Sequence, residues 1–152
     1  MDDLQLSLCC EPKFSGVIGA QHSRTTQPLI LAVDDDEDNL LLMAYVLDHV
    51  DCSLITAVDG VSALSLARAY QPDLILLDIL LPYMDGFEVV SQLRKDSKTK
   101  TIPVIAVTAL ADAQARARLL LAGCNDYVSK PYMLEDIEAL VQRYLRLPVA
   151  IS

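Results

Sequence analysis

A chain of 152 residues that is 53% hydrophobic has room for one domain, which at this length would bury roughly two thirds of the surface its unfolded form exposes. The formal charge of −9, with no stripe of Lys or Arg, argues against direct binding to DNA, RNA or an anionic membrane, because those surfaces recruit clustered cations. No apolar run approaches the roughly 20 residues needed to span a bilayer, the N-terminus opens on Asp2-Asp3 instead of a basic signal region, and Cys9, Cys10, Cys52 and Cys124 lack metal-ligand spacing, so a reducing cytoplasm is the expected home.

Residues 1–27 mix Gln, Ser, Thr, Gly and Pro without a sustained period and are expected to form a flexible extension. The domain is expected over 28–147, leaving 148–152 as a tail. It opens with a strand, Leu29–Val33. Asp36 then offers an N-cap, Glu37 and Asp38 put negative charge in the first turn, and Leu40, Ala44 and Leu47 recur at helical spacing. Ser53–Val58 reads as a second strand, Asp59-Gly60 as its turn and Val61–Tyr70 as a helix that Pro72 stops. The run Leu74–Leu77 has no polar alternation, which predicts a strand covered on both faces.

After a loop at Pro82–Gly86, Phe87, Val90 and Leu93 mark a third helix. Ile102–Val107 reads as the fourth strand, with Pro103 tolerable near its start. A helix over Ala111–Ala122 should end at Gly123 in a left-handed cap. A short strand, Asp126–Val128, precedes a last helix whose stripe is Ile137, Leu140, Val141 and Tyr144. Five strand–helix repeats predict an α/β fold, a doubly wound parallel sheet with helices on both faces.

Such a sheet collects the chemistry-bearing residues at one end. Asp34 and Asp35 close the first strand, Asp78 the third, Thr108 follows the fourth and Lys130 the fifth. Carboxylates about 4 Å apart repel by roughly 4 kcal/mol per pair at an effective dielectric near 20, so three together call for a cation. All-oxygen ligands suit Mg²⁺ better than a softer metal. An acid cluster facing one hydroxyl and one ammonium suits the handling of a metal-bound phosphoryl group.

The segments Val-Asp-Asp-Asp at 33–36, Leu-Leu-Asp-Ile-Leu-Leu-Pro-Tyr-Met-Asp-Gly at 76–86, Val-Thr-Ala at 107–109 and Ser-Lys-Pro at 129–131 stand in the order and setting of a known family. From about Leu29 to Tyr144 the chain resembles the receiver domain of two-component response regulators, which accept a phosphoryl group from a histidine kinase onto an aspartate. The resemblance implies a flavodoxin-like sheet in the order 2-1-3-4-5, the order of flavodoxin and of the chemotaxis regulator, itself a member of that family. It implies Asp78 as phosphoacceptor, Thr108 and Lys130 on the phosphoryl oxygens, and Mg²⁺ on Asp34, Asp35, Asp78 and the backbone carbonyl of Leu80. Asp36 is left to cap the helix. It further implies a cis Lys130-Pro131 bond, and a switch role for Tyr127 that an ordinary edge-strand residue would equally well explain. Leu80 and Leu110 stand two positions after the acceptor and the threonine, nearest the hydrolytic water in that family, and being apolar they predict a long-lived phosphorylated form.

The implied partners are a histidine kinase or phosphotransfer protein as donor and an unidentified output protein, with homodimerisation open. Since only Leu147–Ser152 follow the helix carrying Tyr144, a stand-alone receiver is expected, acting by protein binding or relay. It would catalyse only its own phosphorylation and dephosphorylation. A rival is a haloacid-dehalogenase-like phosphatase, because Asp34-x-Asp36 resembles that family's nucleophile motif. Asp38 stands where that motif has Thr or Val, and no acidic pair closes a strand after Lys130. A receiver-like adaptor that is never phosphorylated is a third reading. The fourth helix, Ala111–Ala122 with Arg116 and Arg118, reads as either ordinary helix surface or part of a partner-binding face with the fifth strand and last helix.

Overall fold

The computed structural model describes residues 27–109 and 112–145. The expected extension lies outside them except for Gln27, as do the tail at 148–152 and Leu110. Five parallel strands, β1 (Leu29–Val33), β2 (Ser53–Ala57), β3 (Leu74–Asp78), β4 (Val104–Thr108) and β5 (Asp126–Ser129), form one sheet in the order β2-β1-β3-β4-β5. Between and after them run α1 (Glu37–Leu47), α2 (Gly60–Tyr70), α3 (Gly86–Lys95), α4 (Ala113–Ala122) and α5 (Leu134–Leu145).

The inner strands are apolar throughout because each face has its own core. Leu31, Val33, Ile75, Leu77, Val104 and Ala106 pack with α2, α3 and α4. Their neighbours Ile30, Ala32, Leu74, Leu76, Ile105 and Val107 pack with α1 and α5. Every residue of β3 and β4 is buried, as a strand covered on both sides requires.

Local capping sets the helix starts. Asp36 caps α1 as expected, its side chain accepting from the Asp38 N–H at 2.9 Å. Asp59, read from sequence as half of a turn, instead caps α2 by accepting from the Ser62 N–H at 2.8 Å, so Gly60 is the first helical residue. Asp112 plays the same part for α4, which starts at Ala113; the expected start at Ala111 lies outside the described residues. Strand ends also move: β2 stops at Ala57, one residue early, β3, β4 and β5 each run one residue further, to Asp78, Thr108 and Ser129, and β4 begins at Val104, leaving Pro103 before it as an acceptor for the Ile75 N–H. Gly123 ends α4 at φ +116°, a conformation strained for any residue with a Cβ. The Lys130-Pro131 peptide is cis.

Gln27 sits against the domain, its side chain bonded to Asp51 and Ser53. Cys52 and Cys124 are buried and not in disulfides, and burial pushes the Cys124 thiol up to about 11. No helix among the described residues is long and apolar enough to cross a membrane.

Candidate functional site

Strand register determines which side chains meet. Val33 pairs with Leu77, so Asp34 stands abreast of Asp78 at the adjoining strand ends. Asp78 pairs with Val107, which puts Thr108 one position beyond it on β4, and Thr108 pairs with Ser129. The Lys130 N–H then donates to the Thr108 carbonyl at 2.8 Å, turning the lysine over the same end of the sheet. The order reversal between β2-β1 and β3-β4-β5 opens a crevice at the β1–β3 junction, where open α/β sheets hold ligands.

In that crevice the Lys130 ammonium lies 3.3 Å from Asp78 and 3.5 Å from Asp34. Both carboxylates are nearly buried, with side chains only 7% and 10% exposed, whereas Asp35 is exposed at the rim. One oxygen from each of Asp34, Asp35 and Asp78 falls within 4.8 Å of the others. Three carboxylates with all-oxygen donors fit a hard divalent cation, since a single ammonium leaves two of the negative charges unmatched. Asp36 turns away from the cluster to cap α1, and its N–H donates to Asp34 at 2.9 Å. That assignment removes the second aspartate on which the phosphatase reading depended.

Burial is the main influence on Asp78, raising its carboxyl above the ordinary value of 3.8, with Asp34 adding to it. The Leu80 N–H, donating at 3.1 Å, and Lys130 act in the opposite direction but do not cancel it. For Lys130, burial acts to lower the ammonium, yet attraction to Asp78 and then Asp34 carries it above 10.5. Both directions describe one arrangement: a carboxylate that is costly to charge, and a cation held in place to offset that cost.

The loop after Asp78 turns tightly against the end of β3. Gly86 approaches so closely that a Cβ there would fall 2.6 Å from the Ile79 Cα, and its N–H bonds the Ile79 carbonyl at 2.8 Å. Leu80, half exposed at 52%, and the exposed Tyr83 in left-handed backbone at φ 66° form the outer side of this loop. Thr108 is fully buried, and Tyr127 is partly buried against the core.

The structure adds residues that the sequence reading does not single out. The Asn39 amide donates to Asp34 at 3.2 Å, fixing that carboxylate's orientation. Asn39, Met43 and Tyr132 join Asp34 and Asp78 around a cavity of about 10 Å³, and burial raises the Tyr132 hydroxyl above 10. Arg94, at the opposite edge of the sheet from the site, donates five hydrogen bonds to Lys100, Ile102, Gly123 and Asn125, tying the loop before β4 to the loop before β5. Asn39 could have been suspected as the inward polar residue of the first helical turn, but the partners of Arg94 are too distant in sequence to infer.

Comparison with known proteins bears on this geometry. Residues 30–142 match the response regulator receiver domain. The DNA-binding dual master transcriptional regulator RpaA of Synechocystis is 40% identical over 127 residues, 81% of this chain but 53% of that protein. The polar-differentiation response regulator DivK of Brucella anthropi is 38% identical over 116 residues, 76% of this chain and 94% of DivK. The chain thus spans about half the length of RpaA and nearly all of DivK. Among solved structures, the receiver domain of sensor histidine kinase PA1611 from Pseudomonas aeruginosa superposes with a TM-score of 0.74 at 30% identity, covering 80% of this chain and all of that one, and it has a magnesium ion coordinated in its active site cleft.

Proposed function

We propose that in this chain, which belongs to the response regulator receiver family and is a phosphorylation-controlled switch of two-component signalling, Asp78 is the phosphoacceptor. The observation that supports this most directly is the near-buried Asp78 carboxylate held 3.3 Å from Lys130 at the mouth of the β1–β3 crevice. An oxygen of Asp78 attacks phosphorus in a phosphoimidazole, the P–N bond breaks with its electron pair returning to the ring nitrogen, and an acyl phosphate remains. Lys130 binds the phosphoryl oxygens as a compact cation and Thr108 as a neutral donor. Asp34 and Asp35, with Asp78 and the backbone carbonyl of Leu80, are the groups that would hold Mg²⁺, which when bound supplies positive charge opposite the transferring oxygens.

The donor is a histidine kinase or phosphotransfer protein, and the output is a protein–protein contact or onward transfer, with self-association among the outcomes. Chemistry at the site is confined to gain and loss of its own phosphoryl group. Tyr127 reports the state of Thr108 by changing its packing. Buried cysteines outside disulfides suit a reducing compartment, and we place the chain in the cytoplasm.

Intact mass measurement after incubation with acetyl phosphate and Mg²⁺ tests the reading. The parent should gain one phosphoryl group, and Asp78→Asn should gain none. Undiminished Mg²⁺-dependent labelling of that variant would move the acceptor, with Asp34 the next group to examine. No labelling of the parent under any Mg²⁺ concentration, nor by a phosphorylated histidine phosphotransfer protein, would favour the adaptor.

A further inference from the structure

Helix α4 is attached to the domain by little buried surface. Leu119 is its one buried side chain, against four residues on α3, and Leu120 and Leu121 are 54% and 87% exposed. Two arginines supply further attachment, each laid on an aromatic ring of a neighbouring element. The Arg118 guanidinium carbon lies 3.8 Å from the centroid of Phe87 on α3, and that of Arg116 lies 5.2 Å from the centroid of Tyr127 on β5. Neither arginine makes an ion pair among the described residues, so the ring faces are what fix these two side chains. A guanidinium over a ring face is attracted by its quadrupole and loses that attraction when the ring turns away.

The two stacks differ in what lies beneath them. Phe87 is in the first turn of α3, a helix fixed by four buried residues. Tyr127 lies on the edge strand β5, directly opposite Ala106 and two positions from the pair Thr108–Ser129. One stack therefore joins α4 to a fixed support, and the other joins it to the ring read above as responding to Thr108.

We propose that Arg116 is a positioning residue that holds Tyr127 and α4 in the resting arrangement, while the Arg118–Phe87 stack is the pivot α4 retains when Tyr127 turns. This inference rests on the assignment of Asp78 phosphorylation and of Tyr127 as the responding ring. Turning the ring inward takes its face from Arg116 and releases one of the two arginine contacts that help attach α4. The contact is exposed, so its loss should shift the resting population by about two- to five-fold, the weight of a cation–π contact at a solvated site. It sets the threshold of the switch without touching the reacting atoms.

The test uses the full chain labelled with 3-fluorotyrosine, its Tyr127 signal assigned through Tyr127→Phe, together with amide hydrogen exchange over residues 113–122. If acetyl phosphate and Mg²⁺ label the parent yet leave the Tyr127 signal unmoved, the underlying reading of Tyr127 fails. Where that signal moves in the parent, unphosphorylated Arg116→Ala should already show it displaced toward the phosphorylated position, with exchange in 113–122 faster by about two- to five-fold. Arg116→Lys, which keeps the charge but loses the planar stack, should fall between. Arg118→Ala should speed exchange while leaving the Tyr127 signal in place. An Arg116→Ala variant identical to the parent in both measurements, or an Arg118→Ala variant that displaces Tyr127 equally, overturns the proposal.

Discussion

Replacing Lys130 by Met removes the charge that makes the acid pair tolerable while keeping the length of the side chain. At an effective dielectric near 20, contacts of 3.3 and 3.5 Å to Asp78 and Asp34 correspond to roughly 5 kcal/mol of attraction each. Desolvation of the ammonium offsets much of that sum, and removing one partner of a buried pair costs about 3–5 kcal/mol in practice. The Lys130 side chain is 26% exposed, so solvent screening reduces the expected loss to about 2–3 kcal/mol. For a domain of this size that lowers the melting temperature by roughly 8–12 °C.

The pH dependence gives the loss a signature. Asp78 titrates above 3.8 in the folded state, so charging it costs stability, a cost absent below 3.8 and complete above its raised folded value. Without Lys130 that cost is larger. Lys130 itself titrates above 10.5 when folded, so its stabilisation is full below 10.5 and disappears as pH rises through the raised value. The difference between parent and variant should be greatest at neutral pH and should narrow toward both extremes. Thermal unfolding across pH, with and without Mg²⁺, is the assay, and Mg²⁺ should recover part of the loss by supplying another cation to the same carboxylates. A deficit unaffected by Mg²⁺ and constant from pH 4 to pH 8 would show that Lys130 contributes packing only.

Thr108→Ala should still take up the phosphoryl group but respond weakly to it, measured as a smaller phosphorylation-induced change in the Tyr127 signal; a full-sized change would exclude Thr108 as the coupling group. Arg94→Lys should destabilise the fold by about 2–3 kcal/mol in urea unfolding, because an ammonium cannot reproduce five fixed donors and leaves carbonyls near Gly123 and Ile102 unsatisfied. If Asp78 carries the label as proposed, Leu80→Asn should shorten the lifetime of the labelled protein, since an amide two positions after it can orient an attacking water where the half-exposed leucine cannot. Unchanged decay of label in that variant would mean that water access is governed elsewhere.

Much of this architecture is written locally. Short apolar runs bounded by Asp, Gly and Pro give the strands because a sheet covered on both faces has no need of polar alternation. Asp36 as the α1 cap and Gly123 as the α4 stop are also local, since a cap satisfies backbone groups within a few residues of itself. The acids at the ends of β1 and β3, with Thr108 and Lys130, could be grouped because strand ends in a parallel sheet share one edge.

Other features arise only when distant segments meet. The first residue of β4 is decided by which carbonyls the neighbouring strand can reach, with Pro103 already bonding Ile75 from outside the strand. Asn39 on Asp34 and Tyr132 beside Asp78 depend on how α1 and the segment after β5 close over the sheet. The five bonds of Arg94 and the stacks of Arg116 and Arg118 on rings of other elements leave no periodic trace, because a side chain's partner across the fold imposes no spacing on its own neighbours. The amino-acid order alone brings the charges to one edge of the sheet; packing decides which atoms face each other there, and the raised titration of Asp78 and Lys130 belongs to that packing.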